Sequence, residues 1–255
     1  MAKVFGTPGN FVFAEARRKF VRFLILIVLT VAAFFYMVGL QHGLCFEKSR
    51  HSLFISLVIG AVFLTVYLLR RYVSSYIDGM LETMVAFRKG GEGEAFTADA
   101  ISDLPYTYSV FHDLTHPSIG GNIDHIVVGP TGVFALETKN WRGMVTLSGQ
   151  GVVTVDGKHD HTRDGKAILG RALTLNKKIE ALSNIKTFVQ AVMVFPNASV
   201  SVAPDTRCAL TVLRLDLLEN YLKRPSSRPL TPQQVDTITS DLQALFKPDA
   251  LKTNL

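Results

Sequence analysis

The stretch NIDHIVVGPTGVFALETKNWRG, Asn122 to Gly143, decides how this chain folds. Two apolar runs, Ile123 to Val128 and Val133 to Leu136, flank the tetrapeptide Gly129-Pro130-Thr131-Gly132. β-Branched runs on either side of a Gly/Pro turn predict a β-hairpin. With the turn centred on Pro130 and Thr131, Gly129 faces Gly132, Val128 faces Val133, and the same register sets Asp124 opposite Glu137. Opposed residues share a face of the sheet with Cβ atoms roughly 4.5–5.5 Å apart, so two carboxylates converge at the open end. Side chains alternate along a strand, which adds Lys139 to that face, opposite Asn122. Ile123, Val127, Phe134 and Leu136 fall on the other face, an apolar set suited to packing on a helix.

Opposed carboxylates repel unless a cation lies between them. A divalent ion fits that need, since Mg²⁺ accepts one or two carboxylates and keeps several waters. With a lysine alongside, the trio suits binding of a phosphate oxygen, activation of a water and stabilisation of an in-line displacement, the chemistry of phosphodiester hydrolysis. The alternative is a surface ion pair between Lys139 and one carboxylate.

Working outward, Glu92 to Leu104 reads as a helix stopped by Pro105, and YTYSVFHDL as a strand followed by the loop THPSIGG. MVTLSGQGVVTVDGK predicts a second hairpin, GKAILGRALTLNKKIEALSNI a helix of about 18 residues by its 3.6-residue apolar spacing, FVQAVMVF a buried strand, and CALTVL another. LDLLENYL reads as a short helix. The last helix opens at Thr231 as N-cap, with Pro232 first in the helix and Gln234 closing a capping box. The order predicts an α/β domain with a mixed central sheet flanked by helices.

Toward the N-terminus lie two charge-free runs of 18 residues, Phe23 to Leu40 and Ser52 to Leu69. At roughly 1.5 Å per residue each nearly spans a hydrocarbon core of about 30 Å. Lys3, Arg17, Arg18, Lys19 and Arg22 precede the first, and Arg70, Arg71, Arg88 and Lys89 follow the second, whereas the intervening loop has only Lys48 and Arg50. The positive-inside rule then predicts a two-pass hairpin in the cell (inner) membrane with both termini cytoplasmic. The expected organisation is a membrane anchor over 1–89, whose segment 70–89 continues as an amphipathic helix broken at Gly90 and Gly91, and a globular domain over 90–255.

The net charge of +6 does not argue for nucleic-acid binding by itself. Residues 1–89 hold 11 of the 27 Lys and Arg but only 4 of the 21 Asp and Glu, so the remainder is close to neutral. The basic balance follows from membrane topology. The two cysteines, Cys45 and Cys208, fall on opposite sides of the membrane in this topology, and no CxxC-type zinc spacing occurs.

The hairpin residues NIDHIVVGPTGVFALETKNWRG closely resemble the core of the nuclease-related domain (NERD), a branch of the restriction-endonuclease-like PD-(D/E)xK group, and GGEGEAF, Gly90 to Phe96, resembles the segment that precedes it in that family. The likeness is strongest from Gly90 to about Gly143. It implies a metal-dependent nuclease in which Asp124 and Glu137 hold Mg²⁺ or Mn²⁺, Lys139 positions or deprotonates the attacking water, and Glu94 is an additional acidic residue. The family's substrate class implies nucleic acid, DNA in the first instance. The proline that names the wider group is replaced by Ile123. An inactive tethered module, binding nucleic acid or a protein on the same fold, is the alternative.

Of the residues near the triplet, Trp141 suits stacking on a base and Arg142 holding a phosphate, while Trp141 also suits covering the sheet edge. His125 alternates away from the carboxylates and reads as a core histidine. His159, Asp160 and His161 could touch a metal but read rather as a solvated loop just past the turn VDGK, and His112, Asp113 and His116 have a similar standing. Arg171, Lys177 and Lys178 read as the solvated face of their helix, outside the site, and Asn176 as a polar helix position without an assigned role.

Overall fold

The structure, a computed structural model, describes residues 1–5 and 88–246, together with residues 21, 22, 25, 28, 29, 36, 85 and 86. The chain divides into two compact units, Met1–Val12 with Lys89–Leu255, and Phe13–Arg88. In the second unit the described positions are helical, and Val21, Ile25, Val28, Leu29 and Tyr36 are exposed apolar residues. The runs 23–40 and 52–69 and the segment 70–89 otherwise lie outside the described residues. Among the described residues no helix is long and apolar enough to cross a membrane.

The first unit is built on a six-stranded mixed sheet in the order β1-β2-β3-β4-β8-β10. β1 is Lys3–Phe5, β2 Ser109–His116, β3 Gly121–Gly129, β4 Gly132–Thr138, β8 Val189–Phe195 and β10 Leu210–Arg214. β2, β3 and β4 are antiparallel neighbours, whereas β8 pairs parallel to both β4 and β10, and β1 parallel to β2. A second sheet, in the order β7-β6-β5-β9, holds β5 (Met144–Ser148), β6 (Val152–Val155), β7 (His159–Asp160) and β9 (Ser199–Val202). Helices α1 (88–102), α2 (Thr162–Ser183), α3 (Leu218–Leu222) and α4 (Pro232–Leu245) complete the unit. The expected mixed sheet flanked by helices is present.

Apolar alternation explains the layering. Ile126, Val128, Val133 and Ala135 share one face with Ile168, Ala172, Leu175 and Ile179 of α2 and Val235, Ile238 and Leu242 of α4. Val127, Phe134 and Leu136 pack on the other face with Ile101 of α1, Leu104 just beyond it, and Leu218 and Leu222 of α3. β4 and β8 are covered on both faces, so β4 is buried along its whole length, as expected where parallel strands lie inside a sheet.

The β3–β4 hairpin keeps the expected register from Gly129↔Gly132 to His125↔Leu136. The capping box at Thr231 and Gln234 is also present. Four features differ from expectation. Residues 88–102 are helical through Gly90 and Gly91, where a break was expected; glycine costs a helix only about 1 kcal/mol relative to alanine, which packing offsets. THPSIGG is not a plain loop: β2 runs to His116, a 3₁₀ turn covers Pro117–Ile119, and β3 begins at Gly121. Ile123 joins the cluster under α2 and not the face of Val127. The alternation slips beside it: Asp113 adopts φ 58, and the Asp113 and Asp124 positions drop out of the otherwise continuous β2–β3 pairing. β1, β7 and β9 are strands too short for periodicity to reveal.

Candidate nuclease site

The β3–β4 ladder stops at His125↔Leu136, and the strands part there. Past that point β4 keeps its backbone bonds to β8, with the Lys139 amide donating to the Val194 carbonyl at 2.9 Å. The Thr138 amide, left on the β3 side, donates instead to Asp124 Oδ2 at 2.8 Å. Asp124 is thereby fixed at the hairpin's open end, beside Glu137. Lys139 Nζ lies 2.9 Å from Glu137 Oε1. The structure therefore brings Asp124, Glu137 and Lys139 together on one side of the sheet, the side that α2 covers.

Glu94 reaches the same place from α1. A Cβ on Gly93 would lie 2.8 Å from Asn140 Cβ and 3.4 Å from Thr138 Cγ2, so only glycine lets the helix approach this end of β4. Thr138 Oγ1 donates to Thr97 Oγ1 at 3.0 Å, and Asn140 Nδ2 to the Lys89 carbonyl at 2.7 Å. These bonds fasten α1 to the residues directly after Glu137, and Glu94 is buried beside them.

The electrostatics follow from this crowding. Burial, then the charges of Glu137 and Glu94, push the Asp124 carboxyl well above the usual carboxylate range; the Thr138 amide and Lys139 oppose this without cancelling it. Burial pulls on Lys139 in the opposite sense, but Glu137, Asp124 and Asp164 outweigh it and its ammonium titrates above the usual lysine value. Lys139 is therefore a fixed cation at neutral pH, and a poor base.

Arg171, read as solvated, belongs to this cluster, and His161, also read as solvated, reaches it through Asp164. Arg171 Nη2 lies 3.2 Å from Glu137 Oε2, Nη1 donates to the Asn122 carbonyl, and only 16 % of the side chain is exposed. The placement corrects its reading as a solvent-facing charge. The signal was helical phase: position 171 is three residues after Ile168 and four before Leu175, both on the buried stripe of α2. Asp164, one turn into α2, lies 3.9 Å from Lys139 Nζ and 3.1 Å from His161 Nδ1. His161 is therefore no free loop residue; its ring lies against that of Trp141, with centroids 4.0 Å apart.

Trp141 itself is half-buried on Phe195, 5.5 Å between centroids, and covers the sheet end. Arg142 is exposed, as are His159 and Asp160. His125 is a core residue as expected, and its partner is His112 across the strand pair, Nδ1 to Nδ1 at 2.7 Å. His112 is thus a buried strand residue and not a loop histidine. Asn176 accepts from the Val189 amide at 3.2 Å and so fastens the start of β8 to α2.

The donor set suits a hard divalent cation. It consists of carboxylate oxygens, and the upward shift of Asp124, caused first by burial and then by the charges of Glu137 and Glu94, is one that a bound cation would oppose. Among the described residues no three His, Cys, Asp or Glu side chains are grouped to hold an ion by themselves. An ion on Asp124 and Glu137 would draw the rest of its shell from water and substrate, as Mg²⁺ commonly does.

Residues 89–196 match the family model described as nuclease-related domain (NERD), a span that runs from α1 through β8 and contains the whole cluster. An uncharacterized protein of Bacillus anthracis is 43% identical over 73 residues, 27% of this chain and 34% of that protein. The chain thus spans about a third of the length of the curated relative that it matches. No solved structure matches. The segment 89–196, which holds the hairpin and the acidic cluster, is thus similar to the nuclease-related domain family.

Proposed function

We propose that the protein is a membrane-anchored, metal-dependent nuclease that hydrolyses phosphodiester bonds, with DNA as its first substrate class. The observation that carries this reading is the burial of Asp124 beside Glu137 and Glu94, which holds the Asp124 carboxyl above its ordinary range, with Lys139 bonded to Glu137. Glu137 and Glu94 both raise the Asp124 carboxyl, which is more acid than a single structural ion pair with Lys139 requires.

Asp124 and Glu137 would hold Mg²⁺ or Mn²⁺, which supplies Lewis acidity and lowers the pKa of a bound water. Lys139, kept cationic by its acidic neighbours, orients the attacking water by hydrogen bonding and offsets charge on the phosphoryl oxygens. Glu94 holds the acidic field around Asp124 from α1. Trp141 and Arg142, just past β4, would contact the flanking nucleotide chain, the first by its ring and the second by its guanidinium.

The membrane reading draws on the two apolar runs and on the exposed apolar helical residues Ile25, Val28, Leu29 and Tyr36. β1 adds a topological argument. Lys3–Phe5 pairs with Ser109–Phe111, so both lie in one compartment, and any crossings between them come in an even number. That accords with a two-pass hairpin of the inner membrane, with the nuclease domain and N-terminus on the cytoplasmic side set by the flanking Arg and Lys.

One observation favours the rival reading, a tethered binding module: both Glu137 oxygens already have a cation nearby, Lys139 and Arg171. Incubating the full-length protein in detergent micelles with end-labelled DNA or RNA, single- and double-stranded, separates the two. Shortening of the label with Mg²⁺ or Mn²⁺ but not EDTA supports the nuclease, and retention without shortening supports the module.

A further inference from the structure

We propose that Arg171 is a phosphate-binding residue of this site, parked on Glu137 until a phosphodiester enters. The inference rests on the nuclease reading above and names a substrate contact that the acidic cluster does not include.

The donor accounting of the guanidinium leads to it. Nε donates to the Ala167 carbonyl of its own helix at 3.3 Å and Nη1 to the Asn122 carbonyl, so two of the five N–H groups are spent on backbone. These two bonds tie the guanidinium at once to α2 and to the start of β3. Nη2 lies 3.2 Å from Glu137 Oε2, yet that oxygen makes no hydrogen bond. The Arg171–Glu137 contact is therefore Coulombic only, and three N–H donors of a fixed, largely buried fork are left beside the acidic cluster.

Glu137 does not need Arg171 for neutrality, because Lys139 already bonds its other oxygen at 2.9 Å. A divalent ion arriving on Glu137 and Asp124 would make Arg171 surplus positive charge at the mouth of the site. The group that restores balance is an anion with oxygens spaced for a fork, and a phosphodiester fits, since guanidinium binds phosphate through two parallel N–H···O bonds where an ammonium offers a point charge. This also lets a nearly neutral domain hold nucleic acid by a local contact and not by a broad basic groove.

The test uses the full-length protein in detergent micelles, wild type beside Arg171→Lys and Arg171→Ala. Binding of a fluorescent duplex oligonucleotide is followed by anisotropy in EDTA over a salt series, Mn²⁺ binding by the shift in melting temperature, and cleavage in Mn²⁺ by gel. Arg171→Lys should bind the oligonucleotide about tenfold more weakly, raise KM more than it lowers kcat, and keep the Mn²⁺ shift, because the charge survives and the fork does not. Arg171→Ala should also lower the slope of log K against log salt by nearly one unit, as loss of one phosphate contact requires. If Arg171→Lys binds and cuts like wild type, Arg171 is only a charge partner of Glu137 and the inference falls while the nuclease stands. If wild type neither binds nor cuts, the nuclease reading fails and the inference with it.

Discussion

Asp124 Oδ2 accepts a hydrogen bond of 2.8 Å from the backbone amide of Thr138, the residue after Glu137. One short bond therefore sets the spacing of the two carboxylates, in place of the ladder bonds that end one residue earlier. An asparagine at 124 keeps an acceptor for that amide and removes the buried charge. Because the folded protein raises the Asp124 pKa above its ordinary 3.8, this carboxyl costs stability that grows as pH rises from 3.8 toward the raised value, and the cost is absent below 3.8. Asp124→Asn should raise the metal-free melting temperature at pH 7 by about 2–4 °C for each kcal/mol relieved, with a smaller gain near pH 4. Calorimetry at the two pH values measures it.

Metal should reverse the order of the two proteins. An ion that binds only the folded state stabilises it by mass action, and only wild type has the paired carboxylates. Mg²⁺ or Mn²⁺ at 100 times its Kd should add about 2.7 kcal/mol to wild type and little to Asp124→Asn. Because the ion binds the deprotonated carboxylate, and the fold raises the Asp124 pKa, its affinity should weaken as pH is lowered from 8 to 6. Isothermal titration at the two pH values tests this.

Gly93 and Gly90 make a matched pair on α1. A Cβ at 93 meets Asn140 at 2.8 Å, and one at 90 meets nothing within 4 Å. Gly93→Ala should cost about 1–3 kcal/mol and impair the site by pushing Glu94 away from Asp124. Gly90→Ala should be neutral or gain up to about 1 kcal/mol through helix propensity. Urea unfolding of both variants, with cleavage assayed alongside, distinguishes packing from propensity.

His112 and His125 give the fold an acid limit. Their rings meet Nδ1 to Nδ1 at 2.7 Å, which requires one ring to donate and the other to accept, so at least the accepting ring is neutral. Burial lowers His112 to about 4, and burial with the neighbouring His112 lowers His125 to about 3. Both folded values lie below the unfolded 6.5, so the unfolded chain binds protons first and stability falls as pH drops from about 6.5 toward 4. His125→Gln should flatten that slope in urea titrations between pH 7 and 4.5.

The legible part of the fold was local. The turn residues at 129–132 set the hairpin register down to His125↔Leu136, and extending it put Asp124, Glu137 and Lys139 at one open end, where the Asp124–Thr138 bond replaces the ladder. The capping residues at Thr231 and Gln234 marked the last helix in the same way. What was hidden depends on tertiary packing. β1 is three residues whose only strand signal is its pairing with β2. Asp113 at φ 58 shifts Ile123 to the other face, which no periodicity rule anticipates. Arg171 looked solvated because charge outweighed phase, although its spacing from Ile168 and Leu175 put it at the edge of the inward stripe. Asp164 and His161 reach Lys139 and Trp141 only because α2 lies over the hairpin's open end.

The most direct test of the acidic cluster as a cleavage site is the initial rate at which the full-length protein cuts labelled DNA in Mn²⁺, compared with Asp124→Asn and Lys139→Ala proteins of equal folded content. The account predicts a loss of at least about 100-fold in each variant, the usual cost of removing one preorganised group that stabilises transition-state charge, and no cutting by wild type in EDTA. Equal rates in the three proteins, or cutting unaffected by EDTA, would contradict it.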